Sequence, residues 1–277
     1  MLYLRTFGGL DLEKDGKPVT GPAAQRRRLA LLAVLALAGA RGVSRDKLLV
    51  LFWPERTEAR ARGALNQMLY ALRSALGEII QEAGDLRIDA TAVGSDVSDF
   101  NAALARGGGA EAAAMYTGAF LDGVHLGSDL REIDVWADEQ RRALSRRYAT
   151  CLEALAQDAD RRNALEEAVE WRRKLASADP LNSAAALAYM QSLAATGNAT
   201  GALDHARLFE RLLEVELGAT ADKRVKEFAA ALRAGKAIET GRIPPSQSPS
   251  VPMTLAPSAE ELADTVDDDV PSPRSHV

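Results

Sequence analysis

At the start of the chain apolar residues alternate with others at Leu2, Leu4 and Phe7, pause at Gly8-Gly9, and resume at Leu10 and Leu12 before Asp15-Gly16. A period of two predicts two short strands joined by a turn. Lys17-Pro18-Val19 adds a third short strand, giving a small antiparallel sheet ahead of the first helix. Residues 25–40 are helical by composition, and residues 29–38 are almost wholly apolar behind Arg26, Arg27 and Arg28. An apolar run of about ten residues is half of what a membrane span needs, so it predicts a buried helix. Gly42 ends that helix, Ser44 is placed to cap a second over about residues 45–52, and Trp53-Pro54-Glu55 breaks the chain. A third helix begins at Thr57 or Glu58 and continues to Leu76, with Gly77 as its C-terminal stop.

On a 3.6-residue wheel Leu65, Met68, Leu69, Leu72 and Leu76 share one face of the third helix, which predicts that this face packs on the domain core. The opposite face carries Arg60, Gly63, Gln67, Tyr70 and Ser74, with Arg62, Asn66 and Arg73 on the flank. Residues 84–88, Gly-Asp-Leu-Arg-Ile, read as a small hairpin. From about Val97 onward the pattern is helical, punctuated at residues 107–109, at Asp179-Pro180 and at Gly197. Ala168 and Ala202 stand 34 residues apart, each opening an amphipathic helix after a polar turn. That spacing is the period of tetratricopeptide-type hairpins, although two ordinary amphipathic hairpins of equal length give the same pattern.

A length of 277 residues allows two compact domains. The net charge of −5 conceals an asymmetry, since residues 1–77 carry about seven more basic than acidic residues and the remainder is acidic. A basic end on an acidic chain suits a nucleic-acid partner, and it also suits a merely solvated basic surface. The single cysteine, Cys151, excludes a disulfide framework and a cysteine-rich zinc site. The first residues lack a secretory signal and no run is long enough to span a membrane, so a cytoplasmic protein with no membrane partner is expected. From about Glu239 the chain turns to Pro, Ser, Thr and acid, which predicts a disordered tail over residues 239–277.

Strands, three helices and a hairpin, with a basic third helix, are the element order of a winged helix. The wording of the segments carries more: residues 4–9 Leu-Arg-Thr-Phe-Gly-Gly, 28–33 Arg-Leu-Ala-Leu-Leu-Ala, 42–48 Gly-Val-Ser-Arg-Asp-Lys-Leu, 51–55 Leu-Phe-Trp-Pro-Glu and 72–77 Leu-Arg-Ser-Ala-Leu-Gly. Together with Asp179-Pro180-Leu181-Asn182, Gly197, Ala202-Leu203 and residues 213–218, Leu-Glu-Val-Glu-Leu-Gly, they resemble regulators of the Streptomyces antibiotic regulatory protein type. In that family an OmpR-like winged helix is joined to a bacterial transcriptional activation domain. The resemblance covers about residues 2–220. It implies a mainly α fold: a winged-helix DNA-binding domain over residues 1–95 with small antiparallel β elements, then an all-α, tetratricopeptide-like activation domain over residues 96–238. It also implies double-stranded DNA and RNA polymerase as partners, and pairing of two protomers on repeated half-sites. Two departures stand out. The exposed face of the third helix holds fewer arginines than in relatives, and His205 to Phe209 occupy a stretch where relatives often have tyrosine.

Reading DNA needs cations for phosphates and amides or hydroxyls for base edges, and the third helix offers both. Gln67 and Asn66 are candidate adenine readers, Tyr70 and Ser74 can contact phosphate or base, and Arg60, Arg62 and Arg73 are candidate phosphate contacts. Gly63 lets a duplex approach the backbone, or else marks a close helix crossing. The alternative reading for Gln67 is a solvated surface, and for the arginines local ion pairs such as Arg62 with Glu58. Arg87, at the hairpin, is a candidate wing contact.

No catalytic, metal or cofactor residues are expected. The chain lacks a phosphate-cradling glycine-lysine loop and a His-Glu-x-x-His motif, and His125, His205 and His276 are far apart. Asp129, Glu132 and Asp134 read as a solvated face, and Cys151 as a small buried residue. A non-enzymatic regulator is therefore expected. The competing class is a helical-repeat scaffold that binds a protein or small effector without touching DNA.

Overall fold

The computed structural model describes residues 1–124 and 131–235, which fall within one compact unit. The tail over 239–277, His125, Asp129 and His276 lie outside the described residues. Strand β1 (Leu2–Arg5) occupies the interior of a four-stranded sheet ordered β3-β2-β1-β6. The predicted alternation is realised, because Leu2, Leu4 and Leu12 are buried while Arg5 and Asp11 face solvent. Strand β2 (Asp11–Lys14) pairs antiparallel with β1, Leu4 opposite Leu12. β3 (Lys17–Pro18) pairs antiparallel with β2. Their two-residue connection, Asp15-Gly16, has φ of 52° and 76°, the left-handed pair that an Asp-Gly hairpin turn supplies cheaply. The fourth strand is a departure from the sequence-based expectation. β6 (Val93–Ser95) returns after the first three helices and pairs parallel with β1, Leu2 opposite Val93. Gly94 makes this possible, since a Cβ there would sit 2.9 Å from the Tyr3 ring.

Three helices share one apolar core with this sheet. In α1 (Arg26–Ala38) every residue from Leu29 to Ala36 is buried. α2 (Arg45–Phe52) is capped by Ser44, whose side chain accepts from the Lys47 amide, and α3 (Glu58–Leu76) stops at Gly77 with φ of 86°. The predicted core face of α3 is buried at Leu65, Met68, Leu69 and Leu72, joined by Ala61. β4 (Ile80–Gln81) and β5 (Arg87–Ile88) form the hairpin. It is tied to the α1–α2 turn by reciprocal Val43 and Leu86 amide–carbonyl bonds of 2.9 Å. Gly42 (φ 71°) has no room for a side chain there, because a Cβ would approach the Leu86 carbonyl oxygen to 2.9 Å.

The chain then becomes helical: α4 (Asp96–Ala105), α5 (Gly109–Met115), α6 (Arg131–Arg161), α7 (Leu165–Ala178), α8 (Ser183–Ala195), α9 (Ala199–Leu217) and α10 (Lys223–Arg233). The start of α4 is joined directly to the sheet. The buried Asp96 carboxylate accepts from the Thr6 amide (2.8 and 2.9 Å), the Thr6 hydroxyl (2.6 Å), the Phe7 amide (2.9 Å) and its own neighbour's amide at Val97 (2.8 Å). The segment before α6 adds an edge to β1, with Leu121 donating to the Thr6 carbonyl at 2.7 Å and Gly8 to the Ala119 carbonyl at 2.9 Å. Arg141 of α6 caps that segment by donating to the carbonyls of Phe120 and Leu121 at 2.9 and 3.0 Å. Phe7 packs among Phe100, Tyr116 and Phe120, and Tyr116 stacks on Tyr148 of α6 at 4.1 Å. One apolar core consequently runs from the sheet into the helices, and a second fills the space among α7, α8, α9 and α10.

The 34-residue period has a structural counterpart. Ala168 and Ala202 are buried at the fourth positions of α7 and α9. The turns ahead of them repeat bond for bond: the Ala164 amide donates to the Ala159 carbonyl and the Asn198 amide to the Leu193 carbonyl, both at 2.8 Å. Asn163 (φ 56°) and Gly197 (φ 82°) take the same left-handed place. The period holds for the entry turn and the start of the first helix only, since α8 and α10 begin at Ser183 and Lys223, 40 residues apart, in the two hairpins α7–α8 and α9–α10. The first is pinned by the buried Arg172, which pairs with Asp160 and donates to the Ser192 hydroxyl at 2.7 Å. Cys151 is buried with its thiol 3.3 Å from the Gly109 carbonyl, and burial pushes its pKa up. No helix among the described residues is long and apolar enough to cross a membrane.

Two outcomes follow from these contacts. Asp96→Ala strands the buried Thr6, Phe7 and Val97 amides, each costing about 1–3 kcal/mol, so urea unfolding should show a loss of about 3 kcal/mol or more. His205 stands edge-on to Tyr189 at 4.8 Å, and its buried Nε2 has no hydrogen-bond partner among the described residues. Burial lowers its pKa below 6.5, so the unfolded chain takes up the proton first. Its contribution to stability is intact above that value and is lost as pH falls through it. The melting temperature should therefore drop between about pH 7 and about pH 5, and His205→Phe should remove that part of the drop.

Candidate nucleic-acid interface

The face of α3 that the sequence leaves without apolar residues is the face the fold leaves in solvent. Arg60, Gly63, Gln67, Tyr70 and Ser74 are all exposed along it, over about 21 Å of helix. Tyr70 has 70% of its surface in solvent, a large aromatic ring without a packing role in the fold. Ahead of this row, Glu55, Arg56, Thr57, Arg60, Gly63, Ala64 and Gln67 line an open cleft of about 550 Å³ beside the start of α3. Thr57 caps that start in backbone geometry only, with no side-chain bond, so first-turn amides stay available to an anion.

Gly63 can be assigned more closely than sequence allows. A Cβ built there meets nothing within 4 Å, so no helix crosses at that point and the fold has no steric need for glycine. A mid-helix glycine lowers stability by about 1 kcal/mol relative to alanine. Gln67 makes no side-chain hydrogen bond among the described residues, which leaves its carboxamide free to donate and accept.

The flank is organised differently. Arg62 pairs with Glu58 at 2.6 Å and reaches Asp46 of α2 at 3.4 Å. Arg73 bonds Glu78 at 2.9 Å and Glu82 at 2.7 Å, and Glu82 is also held by Arg45 at 2.5 Å. Arg45 donates in turn to the Asn66 carboxamide oxygen at 3.1 Å. A guanidinium has no acceptor, so the Asn66 oxygen must face Arg45 and its NH2 group faces outward. Arg60 has no carboxylate within ion-pair distance among the described residues. Arg87 is half-buried against Gly42, with its Cγ 3.0 Å from where a Cβ of that glycine would lie. It lies at the hairpin, apart from the exposed row on α3.

Sequence reasoning thus assembled the outer row of α3 and missed Arg45, Arg56 and Glu82. Arg45 had one visible signal, its place directly after the Ser44 cap, where α2 must begin close to the following helix. The acidic Glu82 carried none. Among the described residues no group of three or more His, Cys, Asp or Glu side chains is placed to hold a metal ion.

The architecture has a counterpart of known structure. Mycobacterium tuberculosis EmbR, solved in complex with a low affinity phosphopeptide, is similar with a TM-score of 0.57 at 19% identity, over 86% of this chain. At that identity the likeness is one of fold. This chain spans 66% of the length of the EmbR chain. No curated protein matches the sequence. The model of the bacterial transcriptional activator domain matches residues 89–233, from just before β6 to the end of α10 and so more than half of the chain, and the chain belongs to that family of transcription regulators.

Proposed function

We propose that this protein is a sequence-specific DNA-binding regulator of the Streptomyces antibiotic regulatory protein type, in which residues 1–95 are an OmpR-like winged helix and α3 is the reading helix. The observation that carries the reading is Gly63, a helix-weakening residue in the middle of an exposed row, where a Cβ would meet nothing within 4 Å among the described residues. A duplex lying against α3 accounts for it, because only glycine lets the helix backbone come into contact there. Arg56, Arg60 and the start of α3 supply positive potential at one end of the row. Gln67, with both amide groups free, is the base reader suited to adenine. Asn66, with only its NH2 facing out, suits an acceptor such as guanine N7 or a phosphate. Tyr70 and Ser74 extend the contact, and Arg62, Arg73 and Arg87 flank it.

Residues 96–238 are assigned the activation role, with contact to RNA polymerase and pairing of protomers as the family resemblance implies. Leu208 and Val215 on α9 are exposed apolar residues suited to a protein partner. A cytoplasmic location fits such a regulator, and none of the steps requires catalysis or a cofactor.

Binding of the full chain to duplex DNA should weaken about a hundredfold between about 50 and about 200 mM salt if four phosphates are contacted. Fluorescence anisotropy would measure it, Arg60→Ala should reduce the logarithmic salt slope by about 1, and binding insensitive to salt would exclude the reading. Gly63→Ala separates fold from function. It should raise stability by about 0.5–1 kcal/mol in thermal unfolding while weakening duplex binding about tenfold. Equal binding by the two proteins would remove Gly63 from the interface.

A further inference from the structure

The DNA-facing flank of α3 contains a carboxylate that charge matching alone would not place beside phosphates. Glu82 follows β4 in the hairpin, and its two oxygens are shared between Arg45 of α2 at 2.5 Å and Arg73 of α3 at 2.7 Å. Neither arginine is buried, so desolvation does not demand a counter-ion for them. The position of Glu82 is nonetheless built, because the hairpin that carries it is tied at Leu86 to Val43 by two backbone bonds. Arg45 spends its second fork nitrogen on the Asn66 oxygen. The chain of contacts therefore runs from hairpin carboxylate to arginine to the carboxamide of a residue on the reading helix.

We infer that Glu82 is a specificity-determining positioning residue, which holds Arg45 and Arg73 away from phosphates and fixes the Asn66 carboxamide in one orientation. This rests on the DNA-binding reading above. The physical argument has two halves. Arg73 also holds Glu78, so Glu82 takes the charge of this cluster from +1 to 0, which weakens attraction to phosphates on any sequence. The same carboxylate holds the Arg45 fork so that Asn66 can offer only its NH2 to a base edge, and an amide fixed in one orientation discriminates acceptors from donors. Glu82 thereby lowers affinity for all DNA and raises the difference between sites. Contrast Glu58, which pairs with Arg62 within α3 and touches no base-reading residue.

The test uses the full chain, a mixed-sequence duplex, and sites recovered from a randomised duplex pool. Glu82→Gln should bind the mixed-sequence duplex about tenfold more tightly, with the logarithmic salt slope steeper by about 1 as Arg45 reaches a phosphate while Arg73 keeps Glu78. It should also lose about tenfold discrimination at one base pair of the recovered site. Asn66→Ala should lose discrimination at that same base pair, and Glu82→Gln combined with Asn66→Ala should lose no more than either alone. Glu58→Gln should steepen the salt slope without changing any base preference. Unaltered slope and discrimination in Glu82→Gln would reduce Glu82 to a surface ion pair and overturn the inference. Losses at Glu82 and Asn66 that add, or that fall on different base pairs, would break the proposed chain of contacts. A wild-type protein with no salt-dependent duplex binding would instead overturn the DNA-binding reading itself.

Discussion

Strand β1 and the three residues after it are held from three sides, and the Asp96 carboxylate is the fastening that closes the arrangement. Past Arg5 the strand has no lateral partner on the β6 side, since β6 has already turned into α4. Asp96, the first residue of α4, takes over by accepting the consecutive Thr6 and Phe7 amides, which no single neighbouring strand could bond together. A carboxylate does this well because it has two acceptor oxygens and no donor to misplace. The segment over 119–121 supplies further backbone bonds at Thr6 and Gly8, and Arg141 of α6 fixes that segment by donating to the Phe120 and Leu121 carbonyls. The sheet, which shares one apolar core with α1, α2 and α3, is thus completed by residues 93–121, which lie within the stretch matched by the activator-domain family. A displacement of α4 or α6 would act on β1, and β1 shares one apolar core with the helices that carry the proposed reading face.

The extent to which the sequence announced this follows from the range of each interaction. Capping and turn signals act over three or four residues, so Ser44, Gly77 and the Asp15-Gly16 turn were legible, and so was the buried face of α3. The 34-residue period was visible as one alanine pair, and the repeated left-handed turn at Asn163 and Gly197 shows why it recurs. β6 was not legible. It is three residues long, contains glycine, and is selected by pairing with a strand about 90 residues earlier. Asp96 likewise reads as an acidic residue at a helix start, with nothing nearby to suggest that its partners are Thr6 and Phe7.

The candidate site divides along the same line. Which residues α3 exposes depends only on its own periodicity, and the row from Arg60 to Ser74 is in solvent as that periodicity requires. What those residues are bonded to depends on neighbours from α2 and the hairpin. The sequence set Arg62, Asn66 and Arg73 on the flank and offered only Glu58 as a partner for Arg62, whereas the fold adds Asp46, Glu78, Glu82 and Arg45 as partners and leaves Arg60 and Gln67 without one among the described residues.

That division decides how a phosphate backbone would be engaged. Surface ion pairs are worth about 0–1 kcal/mol, so a phosphate can displace Glu58 from Arg62 or Glu78 from Arg73 at small expense. The buried Arg172, by comparison, sits in the helical half with Asp160 and Ser192 around it, and breaking such a pair leaves an uncompensated charge. Arg56 and Arg60 need displace nothing near the start of α3, where the helix dipole adds to their field. First contact at that end, followed by exchange of partners along the flank, is the sequence of events that the charge arrangement favours. It also places the residues with free hydrogen-bonding groups, Gln67 and Tyr70, between the end that captures phosphate and the flank that must rearrange.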